Sequence, residues 1–263
     1  PKLDQFLWLW RILWGLMDTA FIIGNGESRN IFPIENLKGH GTIYGCNAIY
    51  RDHPMLCDHI IAVNPDMYEE LAKWHNNGKE SPTIHGRDHV STWNYICEGD
   101  HEHDVPQGLK IYRIWRGGDV KKGGKIKTND FTKAKGSGCS AVLMAAESGV
   151  KNIVIMAFDI LGAQQWEMET PSRIQNNIYK NSPNYPDRAS MKAYLKYEWM
   201  YQLRQTFRRF PATNFYFINR KEYLEGNPFL RWYFDQPNIK CGIYADLQRW
   251  ITGSRDDIKW KQL

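Results

Sequence analysis

The stretch Phe21-Ile22-Ile23-Gly24-Asn25-Gly26-Glu27-Ser28-Arg29 is an apolar run that stops abruptly in a small, polar turn. A second stretch, Lys135-Gly136-Ser137-Gly138-Cys139-Ser140, leads into Ala141-Val142-Leu143-Met144-Ala145-Ala146 and then Asn152-Ile153-Val154-Ile155-Met156-Ala157-Phe158-Asp159. The first reads as a buried strand ending in a glycine turn, the second as a glycine turn opening a helix that feeds another buried strand. Each sets glycines and a hydroxyl or amide where backbone N–H groups can face an anion, and a helix N-terminus adds a favourable dipole. Together they predict one cleft holding an extended phosphorylated ligand on an α/β scaffold.

Working outward, short apolar runs alternate with helical patterns, which predicts a mostly parallel sheet with helices on both faces. The expected strands are Ala20–Ile23, Thr42–Cys46, His59–Val63, Ile111–Trp115, Asn152–Ala157 and Asn214–Ile218. Helices are expected at Pro65–Asn76, Ser137–Ser148 and Ala189–Phe210. In the last, Met191, Leu195, Trp199, Leu203 and Phe207 recur every four residues, an apolar stripe beside a basic one of Lys192, Lys196, Arg204 and Arg208. Gly117–Lys135 reads as a loop leading into the second glycine turn. The polar stretch 161–188 follows directly after Asp159 and reads as a lid or small lobe, because ligands of open α/β sheets sit beyond the carboxyl ends of the strands.

At 263 residues the chain suits one large domain, here 17–263, or a domain with a small lobe. Residues 1–16 stand apart as an appended segment or an amphipathic helix; their apolar run is broken by Arg11 and is shorter than the ~20 residues of a membrane span. No signal-peptide cleavage pattern follows. The five cysteines show no CxxC spacing, so reduced thiols and a cytoplasmic location are expected. A net charge of +5 fits an anionic partner without requiring one.

Two nucleotide motifs are approached and missed. Gly24-Asn25-Gly26-Glu27-Ser28-Arg29 places Arg at the third glycine of a dinucleotide fingerprint, and Gly118–Lys125 inserts Gly124 before the lysine of a P-loop, with Ile126 in place of its hydroxyl residue. The His-rich stretches His85–His89 and Asp100–Asp104 carry metal-competent side chains, but their crowding suits solvated loops better than a rigid zinc site. Three asparagines, Asn25, Asn47 and Asn64, close three successive strands, where a carboxamide can offer both donors and an acceptor to a ligand.

In order and spacing, GNGxS on the first strand, CNxxY on the second, Asn-Pro on the third and the Ser-Gly helix start followed by a strand ending in Asp resemble the bacterial family 42 sialyltransferases and related phage and bacterial proteins. The resemblance runs from Phe21 to about Gly162, and more weakly through the helix Ala189–Phe210 and the strand after it. It implies a modified Rossmann-like, GT-A-variant fold and a metal-independent glycosyltransferase using a nucleotide-sugar as co-substrate, with no other cofactor. Carried over, it implies contacts to the nucleotide or its sugar from Asn25, Gly26, Ser28, Asn47, Asn64, Ser137 and Gly138, with Asp159 beneath. The neighbouring Arg29 is grouped with them.

The departures are specific. Where the family has a histidine before the long helix, this chain reads Tyr185-Pro186-Asp187-Arg188, and Ile160-Leu161-Gly162 replaces the family's phosphate-neutralising tyrosine. The donor is therefore expected to differ from CMP-sialic acid. Asp187 and Tyr185 take the catalytic positions, with His85 and Glu167 as further candidates, and Lys133, Lys135 or Arg188 can neutralise the leaving group. The acceptor is a glycan or, given the Lys-rich loop and the Arg/aromatic segment Arg208–Trp232, a hydroxymethylated base in phage-type DNA. Two rivals stand beside this: a nucleotide-sequestering protein without turnover, and a nucleic-acid-binding module. The sequence leaves the oligomeric state open, homo-oligomers included.

Overall fold

The computed structural model describes residues 18–63, 65–75, 83–87, 109–112, 136–160, 177–185, 193–226, 230–254 and 257–262. Eight strands form one sheet: β1 (Thr19–Ile23), β2 (Thr42–Cys46), β3 (His59–Ala62), β4 (Thr83–Arg87), β5 (Leu109–Tyr112), β6 (Asn152–Met156), β7 (Asn214–Ile218) and β8 (Ile239–Gly242). Every pairing is parallel, in the order β5-β4-β3-β2-β1-β6-β7-β8. This is an α/β Rossmann-like sheet, wholly parallel where the sequence predicts mostly parallel. From β1 the order runs outward one way through β2 to β5 and the other way through β6 to β8. The β1/β6 boundary is thus the topological switch point, where such sheets bind ligands.

Six α-helices are described: α1 (Pro65–His75), α2 (Ser137–Glu147), α3 (Ala193–Arg209), α4 (Lys221–Glu225), α5 (Leu230–Tyr233) and α6 (Tyr244–Ile251). Both faces of the sheet are covered, so the central strands are apolar throughout rather than alternating with polar residues. Alternate residues of one strand enter different cores. Phe21, Ile23, Val154, Met156, Tyr216 and Ile218 pack with Met67 and Leu71 of α1 and Leu247, Trp250 and Ile251 of α6. Ala20, Ile22, Ile153, Ile155, Phe215 and Phe217 pack with α2, α3, α4 and α5 on the other face.

Several boundaries differ from the sequence reading. β4, β8, α4, α5 and α6 were absent from it, and β5 begins at Leu109 rather than Ile111. β6 stops at Met156 because Ala157 turns to a φ of 58°. In α3, Leu203 and Phe207 of the apolar stripe are buried and Trp199 is partly buried; Met200, outside that stripe, is buried as well. Arg204, read as part of a basic stripe, is buried as well, since two of its nitrogens bond the Asp235 carboxylate at 2.7 and 3.3 Å. Residues 1–16, the loop 117–135, most of the lid, Met191 and the Asp100–Asp104 cluster lie outside the described residues. No helix among the described residues is long and apolar enough to cross a membrane.

Candidate functional site

The carboxyl edge of the sheet is built first by close backbone packing. The turn after β1 lies directly against the turn after β6: Gly24 N–H donates to Met156 C=O at 2.9 Å and Gly26 N–H to Ala157 C=O at 2.9 Å. A Cβ on Gly24 would stand 2.3 Å from the Ala157 oxygen, so only glycine fits. These two amides were expected to face an anion. They bond the neighbouring turn instead, and the glycines serve strand-to-strand contact. Gly138 has the same kind of reason: a Cβ there would meet the Phe158 ring at 2.8 Å.

Ser28 and Asp159 meet beneath this edge. Ser28 donates to the Asp159 carboxylate through its backbone N–H at 2.8 Å and its hydroxyl at 2.6 Å. Asn219, closing β7, adds a third donor at 2.9 Å, and an Arg220 guanidinium nitrogen lies 3.7 Å away. The Tyr244 hydroxyl is 2.9 Å from that of Ser28. Asp159 therefore ties together the turn after β1, the end of β7 and, through Ser28, the start of α6. Arg29 is buried too, donating to Asp52 at 2.8 Å and to the Tyr179 hydroxyl at 2.9 Å, with its guanidinium over the Tyr179 ring. Ser28, Arg29 and Asp159 face protein partners in this conformation.

Asn25, Asn47 and Ser137 are arranged differently. Asn47 follows β2 with a φ of 53°, the left-handed region that asparagine tolerates better than most residues. Its Oδ1 accepts the Ser137 hydroxyl at 2.7 Å, and the Ser137 oxygen in turn accepts the Val63 N–H at 3.2 Å. The first residue of α2 is thereby seated beyond the ends of β2 and β3, and no side chain caps this N-terminus. The positive end of the α2 dipole thus lies on the ligand edge. Asn25 donates to the Tyr185 hydroxyl at 3.2 Å, while its own Oδ1 is buried with no hydrogen-bond partner among the described residues.

Tyr185 arrives on the described end of the lid, residues 177–185, which straps across the edge. Ile178 N–H donates to Asn25 C=O at 3.0 Å, and Asn177 bridges Gly26. Beyond them, Arg51 donates to the Ser182 hydroxyl and the Pro183 carbonyl at 2.7 and 2.8 Å. Glu70 receives Arg51, the Asn184 amide and the Tyr50 hydroxyl. Burial opposes ionisation of Glu70, but these donors outweigh it and hold its pKa below the ordinary carboxylate value. The Tyr185 phenol behaves oppositely: burial pushes it above its normal range. It is therefore protonated at neutral pH and cannot act there as a base.

Thus Asn25 pairs with Tyr185 and Asn47 with Ser137 on this edge, Gly26 and Gly138 shape the backbone, and Ser28, Arg29 and Asp159 form the support beneath. Asn64, Lys135, Asp187 and Arg188 lie outside the described residues. Asn219, Tyr244, Tyr179 and the Arg51–Glu70 pair were missed by sequence reasoning. Asn219 alone carried a usable signal, as another asparagine closing a buried strand. No protein-family model, curated protein or solved structure matches the chain.

Proposed function

We propose that this chain is a nucleotide-sugar-dependent glycosyltransferase that moves a sugar to a hydroxyl acceptor. The observation that carries the reading is the 2.7 Å Asn47–Ser137 hydrogen bond. It joins a strand-end amide to the start of α2, on the edge where Asn25 also stands beside the switch point. Carboxamides suit a ribose or sugar hydroxyl, and an uncapped helix start suits a phosphate. In the transfer, the acceptor oxygen attacks the anomeric carbon as the bond from that carbon to the nucleotide phosphate oxygen breaks. The acceptor proton passes to a carboxylate, for which Asp187 is the nominee, an effect typically worth about 10²–10⁴-fold. The α2 N-terminus, with Lys135 and Arg188 as the cations the sequence offers, stabilises the departing phosphate. The resemblance to family 42 sialyltransferases supports a mechanism without a resident metal, and acceptors are glycans or modified DNA bases.

A second reading, a nucleotide-binding protein without turnover, is favoured by two observations. Asp159 is fully engaged by Ser28 and Asn219, and the raised phenol of Tyr185 is no base at neutral pH. A thermal-shift screen against UDP-, GDP-, CMP- and dTDP-sugars tests binding. A ligand at 100 times its dissociation constant should add about 2.7 kcal/mol, and the shift should vanish in Asn25→Ala and Ser137→Ala. Release of free nucleotide in the presence of acceptor separates the two readings. No shift with any nucleotide rejects both.

A further inference from the structure

Arg29, Arg51 and Lys180 bring positive charge to this edge, but each is held by a protein carboxylate. Arg29 lies 2.8 Å from Asp52, Arg51 2.6 Å from Glu70 and Lys180 2.9 Å from Glu27. Arg220 is placed differently. It follows Asn219 at the end of β7, where Asn219 N–H donates to Gly242 C=O at 3.2 Å and Asn219 Oδ1 accepts the Arg220 N–H at 2.7 Å. The backbone there is pinned, and the side chain reaches towards Asp159. Its Nη2 stops 3.7 Å from Asp159 Oδ2, beyond hydrogen-bond distance. Its Nε is buried with no hydrogen-bond partner among the described residues.

A guanidinium kept only as a structural counter-ion makes short, paired contacts, as Arg204 does with Asp235 at 2.7 Å. Asp159 does not depend on such a partner, because its carboxylate already accepts the Ser28 N–H, the Ser28 hydroxyl and the Asn219 amide. Exposure separates the two groups as well: the Asp159 side chain is 0% exposed and that of Arg220 28%. An anion arriving from solvent therefore meets the guanidinium and not the carboxylate. The place is the switch point of the sheet. A Cβ on Gly26, in the turn after β1, would stand 2.8 Å from the same Asp159 Oδ2 that Arg220 faces. The start of α2 borders this turn too, since a Cβ on Gly138 would meet the ring of Phe158, the residue before Asp159, at 2.8 Å.

We propose that Arg220 is the phosphate-binding cation of this edge, gripping a phosphoryl group of the nucleotide-sugar, an inference that rests on the nucleotide reading of the site. The guanidinium is a planar fork that matches two oxygens of a phosphoryl group, through Nε–H and a terminal N–H. An oxyanion held in this way gives the buried Nε–H the acceptor it lacks, and buried donors without acceptors are rare and costly. As the bond from the anomeric carbon to the phosphate oxygen breaks, the electron pair stays on that oxygen. Arg220 stabilises the charge by hydrogen bonds and transfers no proton. The contact is made to phosphate alone, so it distinguishes a nucleotide from its nucleoside.

The test is titration calorimetry of wild type, Arg220→Gln and Arg220→Lys with UMP, CMP, GMP and dTMP, their bare nucleosides and inorganic phosphate, with the melting temperature of each free protein. Wild type binds at least one nucleotide, and Arg220→Gln weakens it about tenfold or more, the loss of a hydrogen bond between charged groups. Affinity for the matching nucleoside is the same in both proteins. Arg220→Lys melts with wild type but recovers only part of the nucleotide affinity, because an ammonium lacks the planar fork. A mere counter-ion of Asp159 gives the opposite pattern, a lower melting temperature in Arg220→Gln with nucleotide affinity untouched. That pattern, or nucleotide and nucleoside weakened alike, overturns the assignment and leaves the nucleotide reading standing. Inorganic phosphate bound by wild type and lost in Arg220→Gln, with no nucleotide bound, keeps the anion site and rejects the nucleotide reading. No binding of any probe overturns both. If Arg220→Gln fails to fold, Arg220→Lys carries the test, since full affinity in that variant overturns the fork.

Discussion

Replacing Asp159 with alanine should be the most damaging single change at this edge, and its cost can be worked from the contacts. The carboxylate is fully buried and accepts from Ser28 N–H, Ser28 Oγ–H and Asn219 Nδ2 at 2.8, 2.6 and 2.9 Å. Without it, the Ser28 hydroxyl keeps its partner in Tyr244, 2.9 Å away. The Ser28 N–H has no such recourse and becomes a buried orphan, while the Asn219 amide keeps only the long contact to the Phe158 carbonyl at 3.5 Å. One orphan costs about 1–3 kcal/mol and a lost hydrogen bond about 1 kcal/mol, which sets the expected loss at about 2–4 kcal/mol. That is a large share of a stability of roughly 5–15 kcal/mol for a typical domain. Asp159→Asn keeps the shape and one acceptor but turns an N–H₂ toward a donor, and should fall about midway. Equilibrium urea unfolding measures both, with the slope unchanged if only native contacts are lost. An Asp159→Ala loss below about 1 kcal/mol would refute the reasoning, because buried orphans cannot cost so little. A stable variant with lost nucleotide binding would instead make Asp159 a ligand contact.

Other changes follow from the same geometry. Gly24→Ala drives a Cβ to 2.3 Å from the Ala157 carbonyl, so it should lose about 2 kcal/mol or more in urea unfolding, where a tolerated alanine would show the turns to be looser than described. Ser137→Ala removes the hydroxyl bonded to Asn47 and Val63 and should cost about 1–2 kcal/mol while abolishing nucleotide binding; retained binding would disconnect α2 from the ligand. Glu70→Gln should release the strap at neutral pH, seen as faster amide exchange at Ser182 and Asn184. Because the Glu70 pKa is lowered on folding, its stabilisation is complete above the unfolded value and is lost as pH falls through the folded one. The wild-type advantage over Glu70→Gln should therefore shrink in acid, and an advantage independent of pH would contradict this assignment.

Much of this arrangement was legible in the chain because burial on both sheet faces writes itself as unbroken apolar runs. β1, β2, β6 and β7 are Thr19–Ile23, Thr42–Cys46, Asn152–Met156 and Asn214–Ile218, within a residue of their sequence boundaries. β4 escaped because Thr83-Ile84-His85-Gly86-Arg87 has one large apolar residue, and its histidine drew attention as a metal ligand instead. β8 is four residues, Ile239–Gly242, too short to stand out between Pro237 and the next helix. In α6, Tyr244, Leu247, Trp250 and Ile251 do recur at helical spacing, but the run lasts only two turns. The glycines at 24 and 26 misled for a physical reason: close backbone approach and anion binding both require a missing side chain, and sequence cannot tell a carbonyl neighbour from a phosphate. Likewise, Ser28 and Asp159 lie 131 positions apart, and only the parallel pairing of β1 with β6 brings them together.

The most direct test of the central claim is a crystal structure of the protein grown with the nucleotide that its thermal shift selects. The account predicts the nucleotide in contact with Asn25 and Asn47, with its phosphate beside the start of α2. A nucleotide bound elsewhere would contradict it.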